Sequence, residues 1–74
     1  MTLSKKKLLE EAHTFALHFL EENYRITGFF KIGAGFIYVL THSNGNRIVV
    51  KAFHQHVLIY KNNKLLKDVQ IAPF

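Results

Sequence analysis

The sequence lacks cysteine and tryptophan and has a single proline among its 74 residues. Without cysteine, the chain can form neither disulfides nor cysteine-ligated zinc sites. No apolar run approaches the roughly 18 residues of a membrane-spanning helix. Glu10 and Glu11 also interrupt the apolar stretch that a signal peptide would need after its lysines. We therefore expect a cytoplasmic protein that does not bind membranes.

Acidic residues are scarce as well. Five Asp and Glu residues stand against ten Lys and Arg residues, which gives a formal net charge of +5 at pH 7. Residues 1–24 contain three lysines and four glutamates, a net charge of −1, whereas residues 25–74 contain seven Lys or Arg and one Asp, a net charge of +6. This concentration of positive charge predicts an anionic partner for residues 25–74.

Length and apolar content indicate one small folded unit. A chain of 74 residues with 49% hydrophobic residues is long enough for a single domain, which we place at 1–74, and too apolar to be disordered. A domain of this size buries only roughly 60% of the surface that its unfolded chain exposes. Its core must therefore be thin, and much apolar surface must stay near water.

Apolar residues recur every three or four positions in residues 4–23, which predicts one amphipathic helix. Ser4 is a suitable N-cap, because its hydroxyl can accept a hydrogen bond from a backbone N–H of the first turn. The apolar stripe consists of Leu8, Leu9, Ala12, Phe15, Ala16, Phe19 and Leu20.

From Tyr24 onward the apolar residues follow a period of two, which is typical of β-strands. Turn signals at 33–34, 44–45 and 61–64 predict strands at 25–32, 36–42, 47–53, 57–61 and 65–71. One unbroken strand from Arg47 to Tyr60 would be roughly 46 Å long, so a break is needed near residues 53–56. We predict an α+β fold: one N-terminal amphipathic helix packed on an antiparallel meander of about four to five strands, strongly bent near residues 53–56.

Two turns predict the strand registers. Asn44-Gly45 is the preferred two-residue type I′ loop, in which both residues have positive φ. A second two-residue loop is predicted at Gly33-Ala34. The cross-strand pairs that follow are Leu40 with Val49, Tyr38 with Lys51, Phe36 with Phe53, Lys31 with Phe36, Phe29 with Tyr38, and Arg25 with His42. The third turn signal, at 61–64, places Tyr60 opposite Leu65 and His56 opposite Val69.

These registers sort the strand residues onto two faces, because side chains alternate along a strand. One face is predicted to lie under the helix as the core. It contains Tyr24, Ile26, Gly28, Phe30, Ile37, Val39, Thr41, Ile48, Val50 and Ala52. The other face is predicted to be exposed, and its aromatic and basic residues form the candidate binding site. They are Arg25, Phe29, Lys31, Phe36, Tyr38, Arg47, Lys51 and Phe53.

Aromatic rings between cations suit nucleic acid, single strands above all, because bases stack on rings while phosphates contact Lys and Arg. Phe29 with Tyr38 and Phe36 with Phe53 are the predicted stacking platforms. The same face would equally suit a protein partner or a homodimer, since aromatic residues and Arg are enriched at interfaces. The protein would then be a regulator or inhibitor, of a kind that mobile elements also encode.

The segment Phe53-His54-Gln55-His56-Val57 is interpreted chiefly as the corner where the strand breaks. A metal site would need a third ligand. His42 lies far away, and the predicted register points Asp68 away from His56, so we predict no metal and no cofactor. We also predict no enzymatic activity, because no carboxylate pair or triad is apparent. A small metal-independent ribonuclease, using His54 or His56 with Tyr60 and Lys67, is the second alternative.

Overall fold

The computed structural model describes residues 5–33 and 35–70 of the chain. Within them, one helix precedes five strands: α1 (Lys5–Leu20), β1 (Tyr24–Ile32), β2 (Gly35–His42), β3 (Arg47–Phe53), β4 (His56–Lys61) and β5 (Lys64–Gln70). All strands form one antiparallel sheet in the order β1-β2-β3-β4-β5. The predicted α+β class is confirmed. The predicted N-cap Ser4, the loop residue Ala34 and the strand residue Ile71 lie outside the described residues.

The helix packs on one side of the sheet, here called the helix side. Ala12 and Ala16 are both fully buried, and their small side chains let α1 lie close to the strands. It contacts β1, β2 and β3. The core contains Leu8, Ala12 and Ala16 of α1 with Tyr24, Phe36, Tyr38, Leu40, Ile48, Val50, Ala52, Val57 and Ile59 of the sheet.

The β2–β3 turn has a different length from the one predicted. His42 N–H donates to the Asn46 carbonyl at 2.9 Å, which closes a three-residue loop over residues 43–45. Of these residues only Gly45 has a positive φ, at 96°. Asn44 stabilises this geometry, because its Oδ1 accepts a hydrogen bond from Asn46 N–H at 2.9 Å. The predicted type I′ turn at Asn44-Gly45 is therefore wrong.

The longer turn moves β2 by one residue relative to β3. Leu40 lies opposite Ile48, Tyr38 opposite Val50 and Phe36 opposite Ala52, and not opposite Val49, Lys51 and Phe53. Because side chains alternate, a one-residue shift moves every β2 side chain to the other face. Phe36, Tyr38 and Leu40 are thus in the core, and Ile37, Val39 and Thr41 face away from the helix.

The β1–β2 register agrees with the prediction only near its turn. Phe29 pairs with Tyr38 and Lys31 with Phe36, as expected, but the register shifts between Ile26 and Gly28. The extra residue is Thr27, whose hydroxyl lies 3.3 Å from the Val39 carbonyl oxygen that accepts its hydrogen bond and 2.9 Å from Thr41 Oγ1. This β-bulge makes β1 change sides, so the predicted pairing of Arg25 with His42 is wrong: Arg25 pairs with Thr41 and Tyr24 with His42.

The remaining two turns are tight. At the predicted break, the chain reverses between Phe53 and His56, with His54 at φ 56°. The last hairpin turns at Asn62 and Asn63, whose φ values of 50° and 70° fit a type I′ turn. Tyr60 pairs with Leu65, as predicted, and a second bulge inserts Leu66 between the pairs formed by Ile59 and Tyr60. Strands β4 and β5 therefore widen the sheet and do not fold over its second face.

One pair of substitutions tests these registers. We expect Phe36→Ala to lower the free energy of unfolding by about 3–5 kcal/mol, because Phe36 fills the core beneath α1. Phe30→Ala should lower it by about 1 kcal/mol or less, because roughly half of that side chain is already in water. Urea denaturation measures both values. The register predicted from sequence requires the opposite order, so a larger loss for Phe30→Ala would contradict the structure.

Candidate binding face

The side of the sheet opposite α1, here called the open face, is covered by no element within residues 5–33 and 35–70. Its residues follow from the observed pairings, which connect Phe30, Ile37, Lys51, Leu58 and Asp68 in one row across all five strands. The complete open face is Arg25, Thr27, Gly28, Phe30, Ile32, Ile37, Val39, Thr41, Arg47, Val49, Lys51, Phe53, His56, Leu58, Tyr60, Leu65, Asp68 and Gln70.

Apolar side chains make up most of this face. Phe30, Ile32 and Leu65 are each more than half exposed, at 53%, 61% and 56%. Between them lie the half-buried aliphatic residues Ile37, Val39, Val49 and Leu58. A single exposed leucine needs no explanation, but apolar side chains on the same face of all five strands are typical of an interaction site.

Phe30 has a defined place on the face because it lies against Gly28. A β-carbon added to Gly28 would come within 3.0 Å of the Phe30 ring. The glycine therefore leaves room for the ring to lie along β1. An aromatic ring that packs over a glycine in an edge strand shields the backbone from water, and the contact limits the motion of the ring. Phe30 is consequently a pre-ordered apolar contact at the edge of the open face.

The charges of the open face are mainly positive. Arg25 and Arg47 flank Thr41 at one end, and Lys51 lies on the middle strand with its Nζ 5.0 Å from the centre of the Tyr60 ring. The carboxylate of Asp68 is 3.3 Å from Nδ1 of His56. The prediction that Asp68 points away from His56 is wrong. The bulge at Leu66 shifts the register so that His56 pairs with Gln70, and the side chains of His56 and Asp68 both lie on the open face.

The structure does not bring the eight predicted site residues to one face. Arg25, Arg47, Lys51 and Phe53 lie on the open face. The other four lie on the helix side, because the three-residue turn and the bulge at Thr27 exchange the faces of β2 and of half of β1. They are Phe29, Lys31, Phe36 and Tyr38. Neither predicted stacking platform exists on the open face as proposed.

Phe29, Phe36 and Tyr38 instead form an aromatic cluster next to the helix. The Phe29 ring centre is 4.8 Å from that of Tyr38 and 6.2 Å from that of Phe36. Tyr38 Oη lies 3.4 Å from Nδ1 of His13 on α1. Burial raises the pKa of the Tyr38 phenol above its ordinary value of 10.0. These contacts make Tyr38 part of the packing between helix and sheet.

The histidines of the third turn do not share a strand face. His54 occupies the turn with a positive φ, and His56 starts β4. Among residues 5–33 and 35–70, no cluster of three or more His, Asp or Glu side chains could hold a metal ion. The only helix in that part of the chain is too short and too polar to cross a membrane.

Sequence reasoning missed the residues that dominate the open face: Phe30, Ile37, Val39, Leu58 and Tyr60. One signal could have found three of them. A three-residue loop with glycine in its last position is the next most common hairpin loop, and Ser43-Asn44-Gly45 fits it. A three-residue loop places Leu40, Tyr38 and Phe36 opposite Ile48, Val50 and Ala52, respectively. The bulge at Thr27 has no comparable local signal.

Comparison of the chain with protein-family models, with curated proteins and with solved structures found no match.

The buried phenol of Tyr38 predicts a pH dependence. Below about pH 10 the phenol is neutral in both states, so its full contribution to stability is present. As pH rises further, the unfolded chain ionises first, and stability is lost until the raised pKa of the folded state is passed. We expect Tyr38→Phe to lose less stability than wild type as the pH rises through 10, the ordinary pKa of a tyrosine phenol. Equal losses in denaturation experiments would contradict the burial of Tyr38.

Proposed function

We propose that the protein is a non-enzymatic interaction module whose open face binds an acidic, partly apolar surface of another protein. The observation that carries this proposal is the composition of the face. Aliphatic side chains surround Lys51 on the inner strands, and the cations of the face outnumber its single carboxylate. A desolvated apolar centre with polar groups around it is the usual anatomy of a protein interface.

Nucleic acid is less well supported. Stacking needs free ring faces, and two of the four aromatics expected to provide them, Phe36 and Tyr38, are buried under the helix. Tyr60 is on the open face, but its ring carries Lys51 at 5.0 Å. Branched aliphatic residues such as Val39 and Val49 offer bases no flat surface. They can instead pack against apolar side chains of a protein.

Charge favours a different protein over a second copy of this chain. The open face has three cations and one carboxylate: Arg25, Arg47 and Lys51 against Asp68. Lys51 lies on β3, the middle strand. A twofold axis through the centre of two packed open faces would bring each Lys51 near its copy, and like charges in close contact are unfavourable. An acidic partner would place a carboxylate at that position.

The size of the face is sufficient for a specific but modest complex. Five strands about 4.8 Å apart and about 23 Å long give a sheet face of roughly 550 Å². Two such surfaces would bury roughly 1,100 Å², slightly above the size that distinguishes specific interfaces from chance contacts. We therefore expect a transient complex, in which a few central residues dominate the affinity.

Immobilised protein incubated with a nuclease-treated cell extract tests the proposal through matched variants. Phe30→Ala and Lys51→Glu should each reduce capture of the bound protein by at least about tenfold, because the first removes an exposed aromatic contact and the second reverses the charge on the middle strand of the face. Phe29→Ala is the control: Phe29 is adjacent, of the same type and similarly exposed, but it lies on the helix side. Its capture should remain within about twofold of wild type.

Two further measurements address the alternatives. Light scattering should give the mass of one chain; a dimer that Phe30→Ala dissociates would identify a second copy as the occupant. A mixed-sequence oligonucleotide should show no binding at physiological salt that depends on Phe30. Binding that Phe30→Ala and Lys51→Glu both abolish would identify nucleic acid. Either result would overturn the proposal, as would unchanged protein capture by both open-face variants.

A further inference from the structure

A separate groove lies on the helix side, between the second half of α1 and strands β4 and β5. Its volume is about 590 Å³, which is within the range of small-molecule sites. Phe15 and Phe19 of α1 form one wall, Ile48 and Ile59 form the floor, and Leu66 of β5 forms part of the opposite wall. None of these residues belongs to the open face, so the inference below does not rest on the proposed function.

The groove exists because the sheet is wider than the helix. Five strands about 4.8 Å apart place the outer strands about 19 Å from each other, whereas a helix with its side chains is about 10 Å across. The main contacts of α1 are with β1, β2 and β3. The bulge at Leu66 then gives β5 an additional apolar side chain at the groove, and that side chain is 59% exposed.

Two lysines line the strand side of the groove. Lys61 and Lys67 both contribute to its lining. Among the described residues neither has an acidic partner, since the ion pairs there join Lys7 to Glu11 and His56 to Asp68. Both ammonium groups are therefore available to an anionic ligand in the groove.

The wall of the groove on the α1 side contains an acidic residue. Glu22 lines it just beyond the C-terminal end of α1, where the helix dipole is negative. An anion is therefore repelled from that wall and attracted to Lys61 and Lys67. The floor is almost closed, with Ile48 and Ile59 at 0% and 2% exposure. The remaining space is a furrow, which suits an aliphatic chain better than a helix about 10 Å across.

We propose that this groove binds an amphipathic carboxylate with a single aliphatic chain, as in a fatty acid. The chain would lie against Phe15, Phe19 and Leu66. The carboxylate would accept charge-assisted hydrogen bonds from the ammonium groups of Lys61 and Lys67. The ligand class follows from the combination of an apolar groove with two lysines on its strand wall that have no acidic partner among the described residues.

Dodecanoate below its micelle concentration is the probe, and chemical shifts of the backbone amides are the readout. We expect saturable binding with the largest shifts around Phe15, Phe19 and Leu66. Lys61→Met with Lys67→Met should weaken binding by at least about tenfold, because it removes the charged donors but keeps apolar stems of similar length. Lys64→Met is the matched control, since Lys64 neighbours both lysines without lining the groove, and it should stay within about twofold.

Dodecyltrimethylammonium and acetate complete the experiment. The first has the same chain with the opposite charge, and the second has the same carboxylate without the chain, so both should bind at least about tenfold more weakly than dodecanoate. The proposal would be overturned by equal binding of the ammonium compound, by unchanged binding in the double lysine variant, or by no saturable binding of dodecanoate. Shifts centred on Val39 and Leu58 would also overturn it, because they would place the probe on the open face.

Discussion

The structure depends on the two-residue period of its strands. In such a sheet a change of one residue in a turn exchanges the buried and exposed side chains of a whole strand. The loop at residues 43–45 makes that choice for β2. It places Phe36, Tyr38 and Leu40 under the helix and Ile37, Val39 and Thr41 on the open face. Aromatic side chains bury about 150–250 Å² each, so at about 25 cal/mol per Å² this arrangement gains more from burial than the alternative.

Burial under α1 is limited by the width of a helix. One helix can cover only part of one side of five strands. The largest fully buried side chains accordingly lie on the three inner strands β2, β3 and β4: Leu40, Ile48, Val50 and Val57. The thin core of a 74-residue chain leaves large apolar side chains near water on both sides of the sheet. The exposure of these apolar side chains therefore follows first from chain length and topology, whether or not they bind a partner.

The sequence was sufficient for the elements and insufficient for their alignment. The 3.6-residue period of α1, the alternation after Tyr24 and the paired asparagines at 62–63 are local signals, and each predicted its element. Alignment depended on two features that propensity does not determine. The loop after His42 had two acceptable lengths, distinguished only by what each would bury. The bulges at Thr27 and Leu66 also leave no local signal in the sequence; at Thr27 the hydroxyl of the extra residue contacts Thr41 across the sheet. The predicted site therefore combined aromatic and basic residues that lie on two different sides of the sheet.

These bulges also determine what each exposed surface presents. Phe29 and Phe30 follow their partners on β2, whereas the bulge at Thr27 places Arg25 on the open face and Ile26 opposite Leu40 on the helix side. At Leu66 the extra residue brings an apolar side chain and Lys67 to the same groove. Without the first bulge, the pairings next to the β1–β2 turn would continue along β1, so Arg25 would lie opposite His42 on the helix side and Ile26 would move to the open face. Each bulge thus fixes which side chains of its strand are buried and which are exposed. Removing either bulge would change the open face or the groove and would repack the core side chains of the same strand.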